Sequence, residues 1–94
     1  MIAHLEGMVI FHGTRFLIID VGGVGYKVFV SLEALKKIPE KNHSIKLFTH
    51  LYTREDTMEL YGFSTLAELE FFEMLIAISG IGPKSAIGIL GIAS

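Results

Sequence analysis

A run of small, turn-forming residues late in the chain is the segment best suited to hold an anion. It reads Ser79-Gly80-Ile81-Gly82-Pro83-Lys84-Ser85. Gly80 and Gly82 can adopt positive φ and carry no Cβ, so a phosphate can come close to the backbone amides. Pro83 suits the first turn of a helix, whose positive dipole end would face the same anion, and Lys84 adds a mobile cation. The segment therefore predicts a site for the sugar-phosphate backbone of DNA, with little dependence on base sequence.

Two other interpretations of this segment are open. The glycines alone are equally typical of a helix C-cap followed by a proline-started helix without a ligand. Pro83-Lys84 and the small Ala86, at this spacing, favour phosphate binding. Lys84-Ser85 also resembles the end of a nucleotide-binding P-loop, but that motif needs glycine directly before the lysine and follows a strand. Here proline precedes the lysine and the preceding pattern is helical.

Two adjacent acids, Glu55 and Asp56, occupy a short link between strand-like runs. A loop that grips single-stranded DNA is expected to be basic, whereas these acids would repel a nearby phosphate. The simpler interpretation is a solvated turn in which Arg54 pairs with a neighbouring acid, although Arg54 is also a candidate DNA contact. The alternative is a repulsive wedge that keeps two backbones apart at a branch point and disfavours uninterrupted duplex.

Catalytic chemistry finds little support in the sequence. The chain has no cysteine, and its 4 histidines lack metal-ligand spacing. It shows no nucleophile elbow, and the glycine-rich run Val21-Gly22-Gly23-Val24-Gly25 is predicted to be a turn because no helical pattern follows it. We expect no catalytic residue, no metal and no cofactor, and predict that the chain is not an enzyme by itself.

Composition limits the classes of protein. The 94 residues suffice for one small domain or for a domain and the start of a second. Because 51% of them are hydrophobic, we expect some apolar surface to contact a partner. The net charge of −2 means that any DNA contact must be local. The amino terminus lacks a signal peptide, so the predicted location is the cytoplasm. Residues 74–94 carry only Lys84 as a charge, but that lysine and the glycines and proline around it argue against a membrane span.

Short apolar runs separated by turn residues dominate the chain up to Phe63 and are typical of strands. Ser31 can cap a short helix that Pro39 would end. Three strands, a short helix and two strands follow the order of an OB-fold barrel. The predicted strands are Leu5–Phe11, Phe16–Asp20, Tyr26–Val30, Ser44–Tyr52 and Met58–Phe63. Aromatic residues within these patterns are predicted to pack in the core, namely Phe11, Phe16, Phe29, Phe48 and Tyr52.

A helical period begins after Phe63. Leu66, Leu69, Phe72 and Ile76 would share one stripe, and Thr65 with Glu68 fits a capping box. We expect this helix to stop at Ser79-Gly80 and a second to begin with Pro83. The predicted fold class is therefore α+β, mainly β: a five-stranded OB-fold barrel over residues 1–63, followed over residues 64–94 by the incomplete start of a helix-hairpin-helix DNA-binding domain.

Together these motifs resemble the RuvA family of Holliday-junction-binding proteins. The resemblance is carried by Met1-Ile2 with Leu5 and Gly7, Val21-Gly22-Gly23-Val24-Gly25-Tyr26, Phe48-Thr49-His50, Arg54-Glu55-Asp56, Leu60-Tyr61-Gly62-Phe63 and Gly80-Ile81-Gly82-Pro83-Lys84. It implies an OB-fold first domain, a second domain with two helix-hairpin-helix motifs, and a third that engages the hexameric ATPase motor RuvB. It also implies that the hairpin is the first DNA-backbone clamp and that Glu55 and Asp56 form an acidic pin at the junction crossover. The wedge is thereby favoured over the solvated turn.

The chain departs from the family pattern by stopping at Ser94, before a second hairpin and a motor-binding domain. We therefore expect a shortened chain or a proteolytic fragment, with weaker junction binding and no recruitment of RuvB. The partners implied for the full-length form are Holliday-junction DNA, three further copies in a homotetramer, and RuvB, with the resolvase RuvC as a further candidate. Whether two tetramers face each other across the DNA stays open. The alternative function is a generic OB-fold module for single-stranded DNA.

Overall fold

The computed structural model describes residues 1–38 and 42–93, and the strands within them close into a barrel. The neighbour order is β1-β2-β3-β5-β4, with β3 and β5 parallel and the other pairs antiparallel. This arrangement, with a helix between β3 and β4, confirms the predicted OB-fold barrel. The elements are β1 (His4–His12), β2 (Phe16–Val21), β3 (Val24–Phe29), α1 (Leu32–Lys37), β4 (Ser44–Thr53), β5 (Met58–Phe63), α2 (Leu66–Ile76) and α3 (Pro83–Ala93).

Alternate residues of the strands fill the interior of the barrel, as the period of two requires. Leu17 and Ile19 of β2, Val28 of β3 and Leu47 of β4 are buried there together. The predicted turn between β2 and β3 is a two-residue hairpin in which Gly22 and Gly23 have φ of 59° and 92°. Two successive positive φ values define the turn type that matches the twist of a hairpin, which explains the paired glycines.

A β-bulge in β1 turns Phe11 outward. Val9 pairs with Ile19, but Phe11 pairs with Ile18, so the register shifts by one residue between them. Val9 is fully buried, whereas Phe11 is 45% exposed. The prediction that Phe11 packs in the core was wrong, because simple alternation takes no account of the extra residue in a bulge. Phe16, Phe29, Phe48 and Tyr52 are partly buried, and the last three pack on the outside of the barrel.

A second hydrophobic cluster fixes the helices against the outside of the barrel. It joins Tyr61 and Phe63 of β5 to residues of the two helices, namely Leu69, Phe72, Ala86, Ile87 and Leu90. The predicted capping box is present, since Thr65 accepts from the Glu68 amide and Glu68 accepts from the Thr65 amide. Within the predicted stripe, Leu66 is exposed.

One helix boundary differs from the prediction. Helix α2 ends at Ile76, short of Ser79-Gly80, because the chain tightens there: the Ile78 amide donates to the Leu75 carbonyl at 3.1 Å. Helix α1 ends at Lys37, and Pro39, predicted to end it, lies outside the described residues, as does Ser94. No described helix is long and apolar enough to cross a membrane.

Candidate nucleic-acid interface

The turn between α2 and α3 is held by local hydrogen bonds and one positive φ. The Ile81 amide donates to the Ile78 carbonyl at 3.1 Å, and Gly80 has a φ of 88°. Gly82 does not adopt the positive φ that its sequence would allow. Instead its carbonyl accepts from the Ala86 amide at 3.0 Å, which makes Gly82 the residue that opens α3. Only one of the two glycines is therefore needed for chain reversal.

The exposed side of this turn consists mostly of backbone. Ser79, Gly80, Gly82, Lys84 and Ser85 are exposed, whereas Ile81 is partly buried and Pro83 is buried. A Cβ added at either glycine would meet no heavy atom within 4 Å. The amides of Lys84 and Ser85 lie in the first turn of α3, where no partner exists within the helix. The turn thus offers accessible donors at the positive end of the helix dipole.

The side chain of Lys84 lies against the barrel. Its ammonium is 3.7 Å from the centre of the Phe29 ring and donates to the Tyr61 hydroxyl at 3.1 Å and to Glu59 Oε2 at 3.4 Å. The sequence predicted a mobile cation but could not reveal these partners, which belong to other strands. Because the Lys84 side chain is 58% exposed, its ion pair with Glu59 is weak and open to competition from an anion.

Tyr61 is the buried member of this group. Its hydroxyl donates to Glu59 Oε1 at 2.8 Å. Burial, followed by the hydrogen bond to Glu59 and the charge of that residue, raises the pKa of Tyr61 well above its usual range. The hydroxyl therefore stays protonated and continues to donate at neutral pH. Glu59 accepts from both Tyr61 and Lys84, so one carboxylate on β5 joins the barrel to the start of α3.

Glu55 and Asp56 form the tip of the hairpin between β4 and β5. The Arg54 amide donates to the Thr57 carbonyl at 2.8 Å and closes the loop. Both acids are exposed, and neither forms an ion pair within residues 1–38 and 42–93. Arg54 does not pair with them: its Nε donates to the Tyr52 hydroxyl at 2.6 Å. The tip consequently presents two acidic side chains without ion-pair partners among the described residues, although the Thr57 hydroxyl donates to Asp56 Oδ1 at 3.3 Å.

Aromatic contacts connect the acidic tip to the hairpin region. Tyr52, which accepts from Arg54, meets Tyr61 edge-on with the ring centres 6.4 Å apart. Tyr61 in turn accepts from Lys84. Arg54 and Lys84 are distant in sequence, but Arg54 contacts Tyr52 of β4 and Lys84 contacts Tyr61 of β5, and these two rings are neighbours. Sequence reasoning missed Tyr52 and Tyr61 as positioning residues because each fits an ordinary strand pattern.

Two of the four histidines have polar partners within the fold. His50 Nδ1 lies 2.9 Å from Glu73 Oε2, and His12 Nε2 lies 3.0 Å from the Leu35 carbonyl oxygen. Among the residues that the structure describes, no group of three His, Cys, Asp or Glu side chains is placed to hold a metal ion.

A closed OB-fold barrel with two helices joined by a glycine turn defines the class: a small OB-fold protein that carries a helical hairpin on its outer face. A family model described as "RuvA N terminal domain" matches residues 1–62. The chain belongs to the RuvA family.

Individual relatives extend the similarity beyond the barrel. Proteins named "Holliday junction branch migration complex subunit RuvA" are 44% identical over 94 residues in Acetivibrio thermocellus and 48% identical over 91 residues in Halothermothrix orenii. The matched regions are 100% and 96% of this chain but 46% and 45% of the two relatives. The chain spans about half the length of the curated relatives it matches.

Proposed function

We propose that this chain supplies the DNA-junction-binding part of a branch-migration complex subunit and has no catalytic role of its own. The observation that carries the proposal is the exposed turn from Ser79 to Ser85, which offers backbone amides, open space and a cation at one helix start. Relatives named as Holliday junction branch migration complex subunits support the same role.

The hairpin would hold the DNA backbone through contacts with phosphate. A phosphate oxygen at the turn would accept from the amides of Lys84 and Ser85, and the glycines would let it approach. Lys84 would leave Glu59 for the phosphate, because a solvent-exposed ion pair has little net stability. Such contacts position DNA without reading its bases, so binding should be sequence-independent and sensitive to salt.

The acidic tip would provide selectivity for a branched structure. Glu55 and Asp56 are exposed and form no ion pair among the described residues, so a continuous duplex running past them would bring its phosphates close to two negative charges. At a junction crossover the strands diverge, and the same charges would keep the backbones apart. Arg54, held by Tyr52 beside the tip, would contact one of the diverging backbones.

The domain division and the partners belong to the same proposal. Residues 1–63 would form the barrel domain and residues 64–94 the beginning of the helix-hairpin-helix domain. The full-length form would act in the bacterial cytoplasm as a homotetramer on Holliday-junction DNA and would target the RuvB motor. RuvC remains a candidate partner at the junction.

A gel-shift comparison tests this proposal. A labelled four-way junction, a duplex of equal length and a single strand are each titrated with the chain, and with the full-length protein, across a series of salt concentrations. We expect the junction to bind most tightly and affinity to fall linearly on a log-log plot against salt. Lack of any junction preference in the full-length protein would overturn the proposal.

A further inference from the structure

A row of aromatic rings crosses the outside of β1, β2 and β3, strands that carry neither the hairpin nor the acidic tip. We call Phe11, Phe16 and Phe29 the aromatic strip. The rings of Phe11 and Phe16 are stacked, with centres 5.8 Å apart and planes 26° apart. Phe16 meets Phe29 edge-on at 6.1 Å, and these two residues are also partners in the β2–β3 register. The strip is therefore continuous across three strands.

The backbone is arranged to keep the strip accessible. The bulge in β1 directs Phe11 away from the barrel interior and leaves it 45% exposed, although its sequence position would otherwise bury it. Bulges recur near functional sites because they redirect single side chains in this way. An exposed phenylalanine stacked on a second, partly exposed one is an apolar surface that calls for a partner.

The charges around the strip point to an anionic partner. Lys27 Nζ lies 4.5 Å from the centre of the Phe16 ring and 5.3 Å from that of Phe29. Arg15 is exposed in the loop between β1 and β2, and it lines a cavity of roughly 200 Å³ together with Phe29, Lys84 and one acid, Glu33. Within the described parts of the chain, neither Lys27 nor Arg15 is engaged in an ion pair. Positive charge thus gathers here although the chain as a whole has a net charge of −2.

We propose that the aromatic strip is a second nucleic-acid site, which binds unstacked bases of a single strand while Lys27 and Arg15 contact its phosphates. Aromatic rings flanked by cations are the usual means of holding single strands, and strands 2 and 3 are a common binding face of OB-folds. Stacking of a base is stronger than the exposed contact between Lys27 and Phe16 that it would displace.

This site goes beyond junction binding by the hairpin and requires neither Glu55 nor Gly82. Its first test is fluorescence anisotropy with a labelled 12-residue oligothymidylate. We expect Phe11→Ala to weaken binding about 10-fold, because the stacking of a base is lost. Lys27→Gln should reduce the slope of log affinity against log salt by about the contribution of one phosphate contact. The matched controls are Phe71→Ala, which removes an exposed ring on α2, and Lys46→Gln on β4; both should bind as the wild type does. Equal affinity of Phe11→Ala and wild type would overturn the proposal.

A direct readout of stacking comes from Phe11→Trp, because the natural chain contains no tryptophan. We expect oligothymidylate to quench this fluorescence, and a closed duplex to leave it unchanged. An oligouridylate of the same length shows whether the site accepts RNA as well as DNA. Light scattering on Phe11→Ala tests whether the strip is instead a contact between copies of the chain. A change in oligomeric state together with unchanged oligothymidylate affinity would show such a contact and would refute the nucleic-acid site. Junction gel shifts with Phe11→Ala should match the wild type, so failure of this proposal is distinguishable from failure of the junction function.

Discussion

The ammonium of Lys84 lies 3.7 Å from the centre of the Phe29 ring, so the first turn of α3 is attached to the barrel by a cation–π contact. Glu59 and the hydroxyl of Tyr61 complete the surroundings of this ammonium. All three partners belong to strands β3 and β5. The barrel therefore sets the position of Lys84, the cation predicted to assist phosphate binding. A DNA phosphate has to compete with these partners for the ammonium.

The first prediction concerns this competition. Lys84→Gln should weaken junction and duplex binding about equally and reduce the slope of log affinity against log salt by about one, since it removes one phosphate contact. Glu59→Gln should strengthen both, because the lysine is released and a nearby negative charge is lost. Gel shifts at several salt concentrations measure both effects. Lys36→Gln is the control, since Lys36 is an exposed lysine on α1 that pairs with Glu33. An unchanged slope in Lys84→Gln would contradict the assignment.

The second prediction separates the roles of the two hairpin glycines. Gly80→Ala should lower the free energy of unfolding by about 1 kcal/mol, because alanine is strained at a φ of 88°. Gly82→Ser should leave stability nearly unchanged, since serine is a good N-cap and open space surrounds this position. The new serine hydroxyl would instead accept a hydrogen bond from the Ser85 amide. That amide would then be unavailable to a phosphate, and DNA binding should weaken several-fold.

Urea denaturation and gel shifts on the same preparations test this separation. Gly88→Ala, a substitution in open space within α3, serves as the control and should stabilise the helix by about 0.5–1 kcal/mol without changing DNA affinity. Full DNA affinity in Gly82→Ser would show that the amides of the first turn are not the phosphate donors.

The features that sequence predicted correctly are those determined by neighbours in the chain. The capping box at Thr65 depends on a residue three positions away, and the turn at Gly22-Gly23 depends on two adjacent glycines. The five strands follow from local alternation and turn residues. Each of these signals lies within a few residues, so no knowledge of tertiary packing is required.

The features that sequence missed depend on contacts between strands. The outward direction of Phe11 follows from a register shift against β2, which the sequence of β1 does not encode by alternation. The attachment of Lys84 to Phe29 and Glu59 requires β3 and β5 to lie side by side under α3. Arg54 is the first residue after β4, and it donates to Tyr52 near the end of that strand rather than to an acid. The electrostatic surroundings of the candidate site could therefore not be predicted from sequence.

The third prediction addresses the acidic tip. The double variant Glu55→Gln, Asp56→Asn should bind plain duplex more tightly and lose part of its preference for a four-way junction, because the repulsion of phosphates is removed. Stability should change by less than about 0.5 kcal/mol, since both side chains are exposed and form no ion pair among the described residues, and asparagine can still accept from the Thr57 hydroxyl. The ratio of the two affinities, from competition gel shifts, is the measurement. Glu6→Gln, Glu70→Gln removes two exposed acids elsewhere, and an equal change in that control would indicate a net-charge effect.

The fourth prediction uses the buried hydroxyl of Tyr61 as a pH probe. Burial and Glu59 raise its pKa in the folded state, so above about pH 10 the unfolded chain loses this proton first. The stabilisation is therefore fully present below pH 10 and is lost as the pH rises further, at up to about 1.4 kcal/mol per pH unit. Phenylalanine cannot ionise, so the free energy of unfolding of Tyr61→Phe should fall less steeply with pH than that of the wild type, by up to about 1.4 kcal/mol per pH unit. Urea denaturation of both proteins at pH 9, 10 and 11 measures this difference. The contributions of the lysines and the other tyrosines cancel because both proteins contain them. Parallel declines would mean that burial and Glu59 do not raise the pKa of Tyr61 in the folded protein.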